Sequence, residues 1–202
     1  MVKLGGSLAA AAILRDWLDV LGASGGAVVV VPGGGLFADA VRVAQRRWGF
    51  DDGVAHRLAL LAMEQYGLML AGLEPALRPA ASRRAIARLR AVGSVPVWMP
   101  TRMALGDPDI AESWDVTSDS LAAWLAGVLG AARLVLVKSA APPPGRAAAA
   151  DLVASGLVDA ALPGFLARAG CPGWCIGPDG AAALAAALRD GAEAGTRIEL
   201  GA

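Results

Sequence analysis

Lysine is almost missing from this chain. Its 202 residues include 18 lysine and arginine side chains, and only Lys3 and Lys138 are lysines. Cysteine is scarce too. Cys171 and Cys175 flank Pro-Gly-Trp, which is not the Cys-x-x-Cys spacing of a zinc or redox site, and the single histidine, His56, lies far from them in sequence. Both cysteines therefore read as buried thiols, and no metal site is expected. The formal net charge is zero and no block of like charge occurs. That excludes a nucleic-acid binder, which would need a basic stripe. No apolar run is long enough to span a bilayer, so no membrane partner is expected. An apolar run beginning at Val2 leaves no room for a secretory leader, and the expected location is the cytoplasm.

What remains is an alternation of short apolar runs and amphipathic segments. Strands are expected at about Val2–Leu4, Ala27–Val31, Val95–Met99, Leu134–Val137, Trp174–Ile176 and Thr196–Leu200. Helices are expected at about Ser7–Leu21, Leu36–Trp48, Gly53–Leu73, Ser82–Val92, Ser118–Leu129, Ala147–Ala154, Pro163–Ala169 and Ala181–Arg189, with an irregular loop over 101–117. Ala140-Ala141-Pro142-Pro143-Pro144-Gly145 can only be a loop. Such alternation predicts an α/β fold, a three-layer αβα sandwich around a mostly parallel sheet, with residues 1–202 as one domain. Ligands of these sheets sit beyond the carboxyl ends of the strands. Lys3, Gly33–Gly35, Thr101 and Lys138 all fall at or near such ends.

The chemistry concentrates in three places. In Val2-Lys3-Leu4-Gly5-Gly6-Ser7-Leu8 a strand runs into a glycine turn and then a helix. Backbone N–H groups, a helix N-terminus and one ammonium converge there, which makes an anion site suited to phosphate. Gly5 and Gly6 let phosphate oxygens approach the backbone, and Ser7 can cap the helix or donate to the anion. A matching turn, Gly33-Gly34-Gly35, follows the second strand. Retention of lysine at two strand ends in an arginine-rich chain points to a need for a compact, rotatable charge that follows a moving phosphoryl group. The third place is Trp114-Asp115-Val116-Thr117-Ser118-Asp119-Ser120, a polar cluster opening an apolar helix. One cap would suffice for the helix; two aspartates and three hydroxyls exceed it.

These pieces, together with Val31-Pro32 before the second turn and the closing Gly195-Thr196-Arg197-Ile198, resemble the amino acid kinase family, which includes acetylglutamate, aspartate, uridylate and isopentenyl phosphate kinases. Each motif is weak alone; four in order are strong. Pro32-Gly33-Gly34-Gly35-x-Phe37-Ala38-Asp39-x-Val41-Arg42, Ala55-His56-Arg57, Gln65-Tyr66-Gly67 and Gly156-Leu157-Val158-Asp159 look most like the kinases of methanofuran biosynthesis. Those convert an aminomethylfuran-methyl phosphate to its diphosphate.

The resemblance implies an ATP- and Mg²⁺-dependent phosphotransferase acting on a phosphate acceptor. Lys3 and Lys138 would neutralise charge on the transferred group, and Asp119 would hold them. Gly5, Gly6, Ser7, Gly33, Gly34 and Gly35 would bind phosphate. His56, Asp115, Thr117 and Ser118 would contact the acceptor, with Asp115 beside Trp114 receiving an acceptor ammonium. No protein metal ligands are implied. Arg42 is a weaker phosphate candidate. An apolar third helix hints at a homodimer or larger homo-oligomer. Alternatives are an isopentenyl phosphate or uridylate kinase-like enzyme, or a non-catalytic nucleotide- or oxyanion-binding protein on the same fold. The Pro-rich stretch after Lys138 replaces the Asp-Val-x-Gly turn that seats nucleotide in many family members.

Overall fold

The computed structural model describes residues 1–201. Its strands are β1 (Val2–Leu4), β2 (Val30–Pro32), β3 (Leu77–Ala80), β4 (Val95–Trp98), β5 (Leu134–Val137), β6 (Arg146–Ala148), β7 (Gly173–Ile176) and β8 (Thr196–Glu199). They form one eight-stranded sheet in the order β3-β4-β2-β1-β5-β7-β8-β6, parallel except for the β7–β8 pair. The helices are α1 (Leu14–Gly22), α2 (Gly35–Trp48), α3 (Asp52–Leu73), α4 (Arg83–Ala91), α5 (Thr101–Ala104), α6 (Ser118–Leu129), α7 (Ala149–Ala154), α8 (Leu162–Ala169) and α9 (Ala181–Asp190).

The period of two along each strand divides the core. Val28, Val30, Val135 and Val137 join Leu14, Trp17 and Leu184 in a cluster under α1 and α9. Val29, Val31, Leu134 and Leu136 join Leu121, Leu125 and Phe165 in a cluster under α6 and α8. Central strands buried on both faces read as continuous apolar runs for this reason. Val2 and Leu4 belong to the α1 and α9 side, so Lys3 between them turns toward α6. Lys3 pairs in register with Leu136. Lys138, two residues beyond Leu136, turns to the same face.

Two expected segments are redrawn and three short elements are added. The first helix breaks: Gly6–Ala10 is a tight 3-10 turn, Ala11 is extended, and α1 starts only at Leu14. The valine run reaches the sheet at Val29, whose carbonyl accepts from the Val2 N–H, but its ladder runs over Val30–Pro32. β3 and β6 were not expected. β3 contains Pro79 and is the edge strand beyond β4, the place in a sheet where a residue without an N–H is tolerated. β6 is three partly exposed residues, too short for a period. Within 101–117, Thr101–Ala104 forms one helical turn.

The two glycine turns press against each other. A Cβ on Gly6 would collide with the Gly35 backbone nitrogen, and one on Gly33 with the nitrogen of Gly6. Gly35 also has φ +55°, a left-handed conformation that favours glycine. Gly6→Ala is therefore expected to cost about 1–3 kcal/mol or more in urea unfolding, as overpacking does. Gly72→Ala is the control: it lies late in α3 with nothing within 4 Å of an added Cβ. It should leave stability unchanged or raise it by up to about 1 kcal/mol.

Candidate functional site

Two buried charges, Lys3 and Asp119, and a partly buried one, Lys138, lie on the α6 side of the sheet. Lys3 Nζ is 2.8 Å from Asp119 Oδ1, and Lys138 Nζ donates a hydrogen bond of 2.7 Å to Asp119 Oδ2. Each carboxylate oxygen is thus taken by a different ammonium. Asp119 is 2% exposed and Lys3 5%. Burial alone would raise the Asp119 pKa, but the two ammoniums more than offset it and the net shift is downward. Burial lowers the Lys138 pKa, Lys3 lowers it further, and Asp119 only partly compensates. The trio carries one net positive charge, at the carboxyl ends of β1 and β5.

Asp119 sits in the first turn of α6, and that turn is held from outside. The Asp159 carboxylate accepts from Thr117 N–H at 3.0 Å, Thr117 Oγ1 at 2.7 Å and Ser120 N–H at 3.0 Å, through Oδ2. Its Oδ1 accepts from the Ser120 hydroxyl, and from Leu162 N–H at 2.9 Å.

A cavity of about 240 Å³ opens beside the glycine turns, between α2, α3 and α6. Gly6, Ser7, Gly34 and Gly35 line one end, and Leu60, Met63, Val116 and Leu121 contribute apolar wall. His56 lines it as well, buried, with Nε2 lacking a hydrogen-bond partner. Burial depresses the His56 pKa, with Glu112 partly opposing, so its imidazole is neutral at neutral pH. Across the mouth runs a polar strap. The Trp114 indole N–H donates to Gln45 Oε1 at 2.7 Å, and Gln45 Nε2 donates to Asp52 Oδ1 at 2.8 Å. The Arg42 guanidinium lies 4.3 Å from the Trp114 ring centroid and pairs with Asp39 at 3.0 Å.

A second cavity, of about 330 Å³, holds Lys3, Lys138, Asp119, Asp115 and Asp159. A third, of about 390 Å³, lies between the Pro-rich loop at Ala141–Gly145 and the turn at Gly177–Gly180, with Gly195 and Thr196. The loop is pinned there, because the Thr196 hydroxyl donates to the Pro143 carbonyl. Among the described residues, no group of three or more His, Cys, Asp or Glu side chains is placed to hold a metal ion. No helix among them is long and apolar enough to cross a membrane.

The sequence matches the amino acid kinase family over residues 1–141. The chain belongs to that family. A [5-(aminomethyl)furan-3-yl]methyl phosphate kinase of Methanocaldococcus jannaschii is 27% identical over 139 residues, which cover 67% of this chain and 63% of that protein. The chain thus spans less than two thirds of that relative. Uridylate kinase from Archaeoglobus fulgidus superposes with a TM-score of 0.70 at 18% identity, covering 98% of this chain and 99% of its own. Isopentenyl phosphate kinase from T. acidophilum superposes with a TM-score of 0.59 at 17% identity, covering 98% of each chain. At these identities the structural likeness is one of fold: the expected αβα sandwich with its mostly parallel sheet.

In this kinase-family chain, Lys3, Asp119 and Lys138 come together, and Gly6, Ser7, Gly34, Gly35, His56 and Ser118 line one cavity. Four expectations change. The Gly5 N–H donates to the Val137 carbonyl at 3.1 Å and the Gly33 N–H to the Leu4 carbonyl at 2.9 Å, so neither amide is free for phosphate. Both Thr117 donors are committed to Asp159. Asp115 lines the cavity of the lysines rather than that of His56, while Trp114 lines both and carries Arg42 over one face of its ring. Asp159 was not expected as a site residue, and neither were Gln45 and Asp52.

The charge trio makes a prediction that needs no substrate. Asp119 is the main group that sustains the Lys138 proton; without it, burial and Lys3 are opposed only weakly. Asp119→Asn should lower the Lys138 pKa further. With only two lysines in the chain, lysine-selective isotope labelling gives two side-chain NMR signals, and a pH titration reads the shift directly. A Lys138 titration unchanged by the substitution would contradict this account. In the wild type, the stability that Asp119 contributes is present above its unfolded pKa and lost as pH falls through its depressed folded value.

Proposed function

We propose that the chain is an ATP-dependent kinase that transfers a phosphoryl group to a small phosphate monoester and makes a diphosphate. The observation that carries this is the Lys3–Asp119–Lys138 trio beside two interlocked glycine turns. Among the described residues, the amides of Gly6, Ser7, Gly34 and Gly35 have no backbone acceptor. They can cradle an anion that faces the net positive trio. The acceptor's own phosphate oxygen is the nucleophile: it forms the new bond to the γ-phosphorus while the bond to the β,γ-bridging oxygen breaks and ADP leaves. That oxygen is already anionic, so no general base is needed, and catalysis is positioning and charge stabilisation. Lys3 and Lys138 take up charge that spreads over the transferred group.

The cavity between the Pro-rich loop and Gly177–Gly180, close to Lys138 in the sheet, is where we place the nucleoside portion of ATP. Mg²⁺ would be held mainly by the ATP phosphates, since the described residues offer no acidic cage, and would neutralise their charge. His56 Nε2, buried without a partner at the acceptor cavity, is the group we assign as donor to the acceptor phosphate. Self-association is part of the same proposal: Val54, Leu61 and Leu68 recur at seven-residue spacing on α3 and are exposed.

For the acceptor we propose an aminomethylfuran-methyl phosphate or a close analogue. The cavity is compact, and Asp39 and Asp52 line it, so an ammonium remote from the phosphate meets a carboxylate. The apolar walls at Leu60, Met63 and Leu121 favour an isopentenyl-type acceptor as the second reading. Product mass after incubation with Mg-ATP and each acceptor separates the two. Lys3→Ala should lower kcat by about a hundredfold or more, and Lys3→Arg should fail as well because its planar fork misplaces the charge. Wild-type turnover in either variant would remove the kinase assignment. Asp52→Asn should raise KM for the aminated acceptor by roughly tenfold with kcat little changed, and leave an amine-free acceptor unaffected. Equal use of both acceptors by the wild type would put the isopentenyl-type reading first.

A further inference from the structure

The first turn of α6 is not capped by its own side chain. Thr117 occupies the N-cap position, the usual place for a hydroxyl acceptor, yet its hydroxyl makes no cap within the helix and donates outward to Asp159. Ser120 does the same through both its N–H and its hydroxyl. These two residues bracket Asp119. The carboxylate that holds them stands 42 residues beyond Thr117 and 39 beyond Ser120 in sequence. It also accepts from Leu162 N–H, at the start of α8. One carboxylate therefore collects donors from two helix starts, at the rim of the cavity that holds Lys3 and Lys138.

We infer that Asp159 is a positioning residue for phosphoryl transfer: by clamping the first turn of α6 to α8, it fixes where Asp119 meets Lys3 and Lys138. The inference rests on the kinase function proposed above. A carboxylate is needed because all five partners are donors. An amide of the same shape would have one acceptor oxygen and would turn an N–H toward groups that also donate. The first turn would then be released on one side, and Asp119 with it. The titratable groups facing Lys138 are Lys3 from β1, Asp119 from α6 and the Cys175 thiol from β7, the last kept neutral by burial, with Asp115 and Asp159 on the same cavity. Any displacement of Asp119 weakens the largest influence that opposes Lys3.

The test compares the wild type with Asp159→Asn, Ser120→Ala and the double variant, in steady-state kinetics with Mg-ATP and in the lysine NMR titration. Asp159→Asn should lower kcat by roughly ten- to a hundredfold, the scale of an ångström-level misplacement, with KM for either substrate changed less than about threefold. Ser120→Ala keeps the Asp159 charge. It should lower kcat several-fold, and the double variant should fall no further than Asp159→Asn. Both single variants should lower the Lys138 pKa. A purely structural cap would reduce the melting temperature while kcat and the Lys138 titration stayed at wild-type values, and that result overturns the inference. Multiplicative kinetic effects in the double variant overturn it as well. If Asp159→Asn does not fold, Ser120→Ala decides by the same two readouts. If the wild type turns over no acceptor, the kinase reading has failed, and the lysine titration alone still tests the clamp.

Discussion

The Asp119 carboxylate, shared between two ammoniums, is the contact on which the rest of the site depends. Two positive charges about 4 Å apart repel by about 4 kcal/mol at the effective dielectric of a protein. Burying them together without a counter-charge would expel one or strip its proton. A single carboxylate with one oxygen for each ammonium resolves the conflict and leaves one positive charge uncompensated. That residue of charge is aimed at the strand ends, beside backbone amides that have no other work. The sheet supplies the lysines, α6 supplies the carboxylate, and Asp159, in the segment leading into α8 on the same side of the sheet, holds the first turn of α6 in turn.

The division of labour follows the layers. The groups that would handle the moving phosphoryl stand on β1 and β5, in the middle of the sheet, where neighbours on both sides limit movement. The walls that would choose the acceptor belong to α2, α3 and the loop before α6, joined by the Trp114–Gln45–Asp52 chain. These walls are tied by side chains at the surface rather than by the ladder.

Much of this was legible in the sequence because local signals and tertiary structure agree. α6 begins and ends where its polar start and apolar body say it should, and β5 is the Leu134–Val137 run itself. Lys3, Asp119 and Lys138 stood out by residue type and by their place at element ends. What was not legible depends on contacts between distant segments. Nothing in the spacing links residue 159 to residues 117–120; the available signals were an unexplained surplus of hydroxyls at the start of α6 and an acid just ahead of the Leu162-Pro163 helix start. Trp114 lines both cavities, whereas Asp115 lines only that of the lysines, a division that adjacency in sequence does not reveal. The glycines were read as phosphate contacts, whereas Gly6, Gly33 and Gly35 are also demanded by the backbone-to-backbone approach of the two turns.

The alternation that sorts the core into two clusters has one more consequence. Lys3 lies between Val2 and Leu4, and Lys138 follows Val137, each lysine flanked by residues of the opposite face. If β1 or β5 slipped by one residue, its ammonium would swing through the sheet into the apolar packing of Trp17 and Leu184, with no carboxylate to receive it. Such a slip would be punished by desolvation as well as by lost hydrogen bonds. The same two charges that would stabilise a transferred phosphoryl group therefore act during folding as a ratchet on strand alignment. A chain that has docked both of them on Asp119 has its central strands in the only pairing the site can use.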